Sequence, residues 1–482
     1  AQLNMPAVST NLITTDPNTL QTSVLVDCPL PANEDGSFDL LRVGILSALP
    51  GKTAIWNRHV LEGHAKVTPV VSSVKRAATD LRKRGADIVV VLAHMGIGHG
   101  ADDDDSAMSL AEIPGIDAII TGHTHQRFPG LDHAGRAGVD ADIGTLGQRP
   151  AIMPGHAGSD LAVLDLTLRM SPKTNWRVIG HLSKLRRNTV ATGPHPKITA
   201  ICASAHQETR RYFSAKIGQA DLMQHNYFSL AMPTMIAALT ARAKARVVRD
   251  ALKDTEDANT PLIASVSAHT AGGRGGPNHY LSIPKGPVLR RHIAGLSPYA
   301  NQIWAVRIAG SELRALLEQS ATVFNQLAPH QPDQLLVNSK IPSFNFDTVF
   351  GVSYYIDPTQ PAGNRIKALK YQGKLILPQD RFILATNQFR VAGGGGFAPK
   401  ACDAVAVRST ISPETAIIDA MAHPDDIIWQ SQSPWQFDCG PAVQAILHTT
   451  PLALDCLKDA AQLAPHPCGI TSDGFATIRI ML

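Results

Sequence analysis

The chain has 482 residues, too many for one ordinary hydrophobic core, so two or three domains are expected. Its 44 Lys and Arg against 40 Asp and Glu leave a net charge of +4 with no basic tract, which argues against a nucleic-acid polymer as partner. No apolar run approaches the length of a membrane span, and the six cysteines (Cys28, Cys202, Cys402, Cys439, Cys456, Cys468) lack CxxC spacing, which excludes a zinc ribbon and leaves disulfides open.

The first residue is Ala1, with no initiator Met and no leader-like apolar segment, which reads as a removed leader or a lost start. Residues 41–49 read as a buried strand, and 67–84 carry apolar positions at helical spacing up to Gly85. A second strand, 87–92, leads into His94 within Ile88-Val-Val-Val-Leu-Ala-His-Met-Gly96. The acidic run 102–105 reads as a carboxylate metal site or a solvated loop, the loop being favoured because four adjacent carboxylates repel without an ion. A short helix over 107–113 precedes Asp117-Ala-Ile-Ile-Thr-Gly-His-Thr-His-Gln-Arg-Phe-Pro129, an apolar strand that ends at Gly122. Side chains at i and i+2 point the same way on an extended or turning backbone, so His123 and His125 can reach one point. With His94 at the end of another strand, these imidazoles point to a divalent metal. Ala151-Ile-Met-Pro-Gly-His156 and an alternating strand over 161–168 complete a strand-and-helix alternation, hence the α/β class.

The composition then changes. Residues 196–216 read as a charged, solvent-bridging helix connecting domains, and 232–253 as a long helix rich in Ala, Met and Arg. A strand over 261–267 runs into Ala271-Gly-Gly-Arg-Gly-Gly276, either a loop that approaches a ligand with Arg274 free to pair an anion, or a surface turn. A helix is expected over 310–325, strands with turns over 344–357 and 365–377, and a strand over 381–386 ending at Asn387-Gln-Phe-Arg390 and the glycines 393–396. Phe389 is either a core ring or a ring presented to a ligand. Beyond Cys439, a helix over 442–463 and a final strand over 474–482 carry no functional signal.

These stretches resemble the 5′-nucleotidase family of metallophosphoesterases, in particular its bacterial bifunctional 2′,3′-cyclic-nucleotide 2′-phosphodiesterase/3′-nucleotidases. The motifs are His94-Met-Gly96, Gly122-His-Thr-His125 with Phe128-Pro-Gly130, Met153-Pro-Gly155, the Arg274 glycine loop, Pro298-Tyr-Ala-Asn301, Phe324-Asn-Gln326, Phe344-Asn-Phe-Asp347 and Asn387-Gln-Phe-Arg390. The resemblance implies a calcineurin-like metallophosphoesterase sandwich domain over 1–190, a helical connector over 191–216 and a 5′-nucleotidase-type nucleotide-recognition domain over 217–438, leaving 439–482 as a helix–strand tail. It implies two divalent metal ions (Zn, Mn or Co), with His94 and His123 on one and His125 on the other. It also implies a base sandwich of Tyr299 and Phe389, with Arg274 and Asn301 as polar substrate contacts. The implied protein is a monomeric, exported periplasmic hydrolase of 2′,3′-cyclic nucleotides and 3′-nucleotides, in which rotation of one domain against the other brings base and phosphate together.

Two departures qualify this expectation. The family's Asp-x-His, Gly-Asp and Gly-Asn-His-Glu motifs are not in their expected places; Met5-Pro-Ala-Val-Ser-Thr-Asn11 resembles the strand that follows the last of them, so the amino-terminal segment of the domain reads as missing. Three histidines without the bridging carboxylate would hold at most one metal well, and hydrolysis would be impaired. The second departure is Gly395, where some 5′-nucleotidases carry an acidic residue. Two alternatives stay open: a nucleotide-binding protein without hydrolytic power, and a metal-dependent hydrolase of another class such as an amidohydrolase. The latter would explain His-x-His but not the second half of the chain.

Overall fold

A computed structural model describes residues 5–16, 18–30, 40–98, 105–171, 175–189, 193–299, 301–398, 400–423, 433–440 and 443–482. The chain divides into two compact units, Ala1–Pro196 and Lys197–Leu482.

The first unit is built on a sheet whose central strands, Leu40–Ala48, Ile88–Ala93, Ala118–Thr121 and Arg149–Pro154, run parallel in that order. Helix Val70–Lys83 covers it through Val70, Val74, Ala78 and Leu81, positions that recur at the spacing of one helix face. It lies so close that a Cβ on Gly44 would meet Leu81 Cδ1 at 2.8 Å. Two side chains fix how the strands begin and end. Arg82 donates to the carbonyls of Ala86 and Gly115 and pairs with Asp117, whose carboxylate also accepts from Val89 N at 2.7 Å. The buried Asn11 accepts from Leu49 N and donates to the Leu49 and Thr68 carbonyls, closing the end of the first parallel strand.

Several expectations are corrected in this unit. The strand read over 161–168 is one arm of a longer hairpin, Asp160–Ser171 with Asn175–Arg187. The helix read over 107–113 is a single turn and a half, Ala107–Ala111. Asp102, Asp103 and Asp104 lie outside the described residues. Asp105, read as part of a solvated run, instead accepts from the backbone N–H of Gly51 at 2.6 Å and of Lys52 at 3.3 Å.

Helix Pro196–Ser214 buries none of its residues. The remainder of the second unit surrounds a five-stranded sheet in the order Asp347–Phe350, Leu262–Ser267, Arg381–Asn387, Ile303–Ala309, Val405–Arg408. Both faces of this sheet are buried, and alternation along each strand sorts its side chains between them. Ile263, Val306, Ile308, Phe382 and Leu384 join the core beneath helix Gly310–Ala321. Ala264, Ile303, Ala305, Ile383 and Ala385 face the core of helices Met235–Leu252 and Pro413–Ala422. That second face is lined with alanines on both sides, which lets a helix capped by Thr234 lie tightly on the sheet.

The helical reading of 442–463 is corrected. Gln444–Thr449 is a strand paired with Ala476–Met481, and only Pro451–Leu463 is helical, as a 3₁₀ run opened by Thr450 and Pro451. Ala445, Ile446 and Leu447 are buried there. A short apolar run fits a buried strand or a helix equally by periodicity, and its pairing partner decides. The residues read as a tail are part of the core: Val443, Ala445, Leu447, Ala453, Cys456, Ala460, Leu463, Ile478 and Ile480 join the cluster under helix Gly310–Ala321. Two smaller corrections concern 310–325, where the helix ends at Ala321, and 344–357, where a helical turn, Ser343–Asn345, precedes the strands Asp347–Phe350 and Ser353–Ile356.

Candidate functional site

In the first unit, the carboxyl ends of three neighbouring parallel strands deliver four histidines: His94 after Ile88–Ala93, His123 and His125 after Ala118–Thr121, and His156 after Arg149–Pro154. The carboxyl end of a parallel sheet is where open α/β folds place their ligand sites. The rings form two pairs. His94 meets His123 edge-on at 5.2 Å between centroids, and His125 stacks on His156 at 4.9 Å. Trp56 stacks on the other side of His123 at 5.3 Å. Burial, and then the nearby His94 and His125, hold the His123 pKa below its ordinary value, so the ring stays neutral and keeps a nitrogen lone pair for a ligand.

Two backbone devices aim these rings. His123 and His125 both adopt positive φ, 65° and 60°, a left-handed conformation that costs an ordinary residue about 1–2 kcal/mol and is tolerated by His more than by most. Thr124 between them passes directly against Gly96, where an added Cβ would meet Thr124 Cγ2 at 2.5 Å. Further along, Gly155 N donates to Gln126 O, and Arg127 Nε pairs with the buried Asp160 at 2.8 Å, tying the His125 and His156 loops together. Burial alone would raise the Asp160 carboxyl; donation from Ser159 and Arg127 holds it below its usual range instead. We expect Gly96→Val to push Thr124 away and spread His123 from His125. The check is divalent-metal affinity by calorimetry, which should fall about tenfold or more with little change in thermal stability.

In the second unit the sequence-derived candidates emerge at one end of the sheet. The register pairs Ser267 with Asp347 and Ile303 with Asn387, so the segments that hold His269, Asn301 and Phe389 leave the sheet side by side. Tyr299 is 56% exposed, and its ring meets the half-buried His269 edge-on at 5.7 Å. Phe389 is half-buried on the short helix Gln388–Val391, with its ring against Gly394, where a Cβ would collide with it. Asn301 is buried; its Oδ1 accepts from Gln388 Nε2 at 3.1 Å, next to Phe389. Arg274 lies on the helical turn Gly273–Gly275, and its side chain is outside the described residues.

Beneath these groups lies a buried ion pair. Arg390 donates through Nε and one terminal nitrogen to both oxygens of Asp347, at 3.0 and 2.8 Å, and also to Ser267 Oγ, Phe344 O and Gly394 O. Its guanidinium sits 4.1 Å over the Phe397 ring. The pair thus clamps the Phe389 helix and the glycine turn to the sheet.

The comparisons with known proteins follow these two halves. A model of the calcineurin-like phosphoesterases matches residues 34–127, and one of the 5′-nucleotidase C-terminal domain matches 195–401. The chain carries a calcineurin-like phosphoesterase domain and a 5′-nucleotidase C-terminal domain. A 2′,3′-cyclic-nucleotide 2′-phosphodiesterase/3′-nucleotidase from Salmonella typhimurium is 32% identical over 424 residues, covering 82% of this chain and 65% of that protein. A Yersinia enterocolitica protein of the same description is 29% identical over 525 residues, covering 100% of this chain and 79% of its own. A trifunctional nucleotide phosphoesterase protein of Bacillus subtilis is 29% identical over 90% of this chain, which spans only 31% of it. The chain therefore spans less than two thirds of the Bacillus and Salmonella relatives. Among solved structures, a Staphylococcus aureus chain assigned as a 5′-nucleotidase matches with a TM-score of 0.66 at 17% identity, covering 90% of this chain and 78% of that one. A 5′-nucleotidase precursor from Thermus thermophilus matches at 0.53, also at 17% identity, over 90% of this chain and 79% of its own. These two establish the shared fold.

For the calcineurin-like domain, the donor set can be tested against the family's metals. The four imidazoles lie at one sheet end as two ring pairs, no three of them with ligand atoms within 4.8 Å of one another; drawn together, nitrogen donors of this kind suit one borderline divalent ion. A second ion would need oxygen donors from outside the histidine set. Among the described residues, the one group of three or more His, Cys, Asp and Glu whose ligand atoms all lie within 4.8 Å of one another is elsewhere, at His225, Cys456 and Asp459. His156 lacks the His-x-His spacing of His123 and His125; its signal is a histidine one or two residues past a buried strand, as His94 and His123 also are. Asp347 and Arg390 were quoted only as motif letters, and their ion pair is what makes the two motifs one feature. Gly395 also acquires a reason. Its φ is 77°, and a Cβ there would collide with Asn345 Oδ1 and an Arg390 terminal nitrogen, so an acidic side chain has no room in this turn.

The same region carries a pH dependence. Burial, and then the field of Lys244, lower the His269 pKa to about 4, with Arg390 adding to the effect and Asp347 opposing it. The folded value lies below the unfolded 6.5, so the unfolded chain takes the proton first. The stability contributed by neutral His269 is full above about pH 6.5 and is lost as pH falls toward 4, by a total on the order of 3 kcal/mol. Urea unfolding at pH 7.5 and 4.5 should show a steeper loss for the parent than for His269→Gln; parallel losses would contradict the assignment.

Proposed function

We propose that this chain hydrolyses nucleotide phosphoesters, taking 2′,3′-cyclic nucleotides to 3′-nucleotides and 3′-nucleotides to nucleoside and phosphate. The observation that carries the reading is the convergence of His94, His123, His125 and His156 at the ends of three adjacent parallel strands in a calcineurin-like domain. The names of the Salmonella and Yersinia relatives supply the substrate class. His94, His123 and His125 act as metal ligands, with Zn, Mn or Co as candidate ions; when bound, the metal polarises the phosphoryl group and lowers the pKa of a water nucleophile. The chain's own contribution is to keep the His123 ring neutral, through its partial desolvation beside His94 and His125, and to fix the ring directions through the Trp56 stack and the Arg127–Asp160 tie.

Nucleotide recognition falls to the second unit. Tyr299 and Phe389 stack on the base, Arg274 pairs with the phosphate, and Asn301 supports the site through Gln388. Every base has a π-face, so stacking gives affinity with low base selectivity. The protein works as a monomer on small nucleotides, with no nucleic-acid polymer as partner, in the periplasm. None of the helices searched among the described residues is long and apolar enough to cross a membrane.

The test is phosphate release by the purified chain from 2′,3′-cyclic AMP, 3′-AMP and 5′-AMP with each divalent metal, alongside direct measurement of nucleotide affinity. Because the histidines bring nitrogen donors only, nucleotide affinity is expected with low turnover. Tyr299→Ala and Phe389→Ala should each weaken binding by about 1–3 kcal/mol, roughly 5- to 150-fold. Affinity unchanged in both variants would remove the stacking role. Binding without any turnover under every metal would favour the non-catalytic reading.

A further inference from the structure

We infer that the second unit contains a separate site for one thiophilic divalent cation, with zinc as the natural occupant, formed by His225, Cys456 and Asp459. Their candidate ligand atoms all lie within 4.8 Å of one another, and His225 Nε2 is already 3.0 Å from Asp459 Oδ2. Imidazole, thiolate and carboxylate together form the mixed donor set that zinc prefers, and three protein ligands leave a fourth position for water. Tetrahedral zinc places its donors roughly 3.3–3.8 Å apart. Small side-chain rotations therefore suffice, with the ion taking the place of the proton between His225 and Asp459.

Independent features of the fold favour the site. Cys456 and Asp459 are three residues apart in the segment Pro451–Leu463, whose backbone leaves helical geometry at Cys456 (φ −117°) and Ala460 (φ −113°), and both present ligand atoms to His225. The His225 ring is held by stacking on Tyr227 at 4.3 Å and by the edge of Phe228, and its side chain is only 8% exposed. Its Nδ1 is buried without a hydrogen-bond partner, an unusual state for a buried polar atom and one that leaves a nitrogen uncommitted. Cys456 is buried, whereas Asp459 is open enough to give an ion a path from solvent. A dication bound at Cys456 would take the thiol as thiolate, releasing its proton.

The consequence is a clasp. His225 sits on the short strand Gln224–His225, paired with Ser282–Ile283, while Cys456 and Asp459 belong to the carboxy-terminal segment 234 residues away. A cation there would pin that segment to the body of the second unit. Binding to the folded chain alone raises its stability by mass action.

The experiment uses the whole chain, stripped with a chelator and titrated with Co²⁺ alone as a spectroscopic stand-in for zinc. A His123→Ala background weakens the first-unit site, and Zn²⁺ competition follows. The expected result is one equivalent bound with a thiolate-to-cobalt charge-transfer band, displaced by Zn²⁺ and lost in Cys456→Ser. In the His123→Ala background, added Zn²⁺ should raise the melting temperature by more than it does in the same background carrying Cys456→Ser. Absence of the band, or its survival in Cys456→Ser, overturns the site. Should Cys456→Ser fail to fold, Asp459→Asn decides, because its half-exposed carboxylate is dispensable for folding: at least a tenfold weaker Co²⁺ affinity supports the site and an unchanged affinity refutes it. No arm depends on nucleotide hydrolysis, so the result stands apart from the proposed activity.

Discussion

Replacing His123 with alanine is expected to lower turnover of 2′,3′-cyclic AMP by more than about 100-fold while leaving nucleotide affinity nearly unchanged. His123 is where the first-unit site comes together. It meets His94 edge-on, stacks against Trp56, and is kept neutral by partial desolvation and the neighbouring His94 and His125, so its loss removes a donor and the packing that orients its neighbour. Tyr299 and Phe389, proposed above to stack on the base, belong to the second unit, which predicts that binding and turnover separate. Its positive φ allows a control: glycine relieves the left-handed strain that alanine retains. His123→Gly should therefore be equally inactive yet no less stable than His123→Ala. Hydrolysis that survives both substitutions would sink the assignment of the site.

The largest effect on stability is expected from Arg390→Met. Its guanidinium makes five hydrogen bonds and pairs with an Asp347 carboxylate that is 1% exposed. Burial would raise that carboxyl, and the neighbouring Arg390 holds it below its usual range instead. Removing the guanidinium leaves the buried Asp347 carboxylate with only Ser267 and the field of Lys244 to offset its charge, and breaking a buried pair in this way costs about 3–5 kcal/mol. In a unit of this size the unfolding midpoint should fall by on the order of 10 °C. Removing both charges in Arg390→Met/Asp347→Leu should recover a substantial part of the loss, because a well-packed apolar pair need not be less stable than an ion pair. Thermal unfolding of the single and double variants gives the answer; a double variant as unstable as the single one would show that the other Arg390 hydrogen bonds, not the charge, are what matters. Phe389 is the neighbour of Arg390 in the chain, so a loosened clamp should also weaken nucleotide binding.

The sequence alone determined features that are local along the chain. Apolar runs such as Ile88–Ala93 and Ala118–Thr121 became strands, and the spacing of Val70, Val74, Ala78 and Leu81 became a helix face, because side-chain direction repeats every two or every 3.6 residues whatever else the chain does. His123 and His125 were legible for the same reason. What tertiary structure decided depends on pairings that no local pattern encodes. His156 joins the other histidines because Arg149–Pro154 pairs in parallel with Ala118–Thr121, and Gly96 matters because Thr124 crosses it. Gln444–Thr449 is a strand because Ala476–Met481 lies beside it, where the apolar run by itself fitted a helix equally well. Asp347 and Arg390, 43 residues apart, and His225 and Asp459, 234 apart, meet because the sheet register and the packing of the carboxy-terminal segment bring them together. Long-range contacts of this kind are stabilised by burial of the whole core, and that energy belongs to the assembled fold rather than to any segment of the sequence.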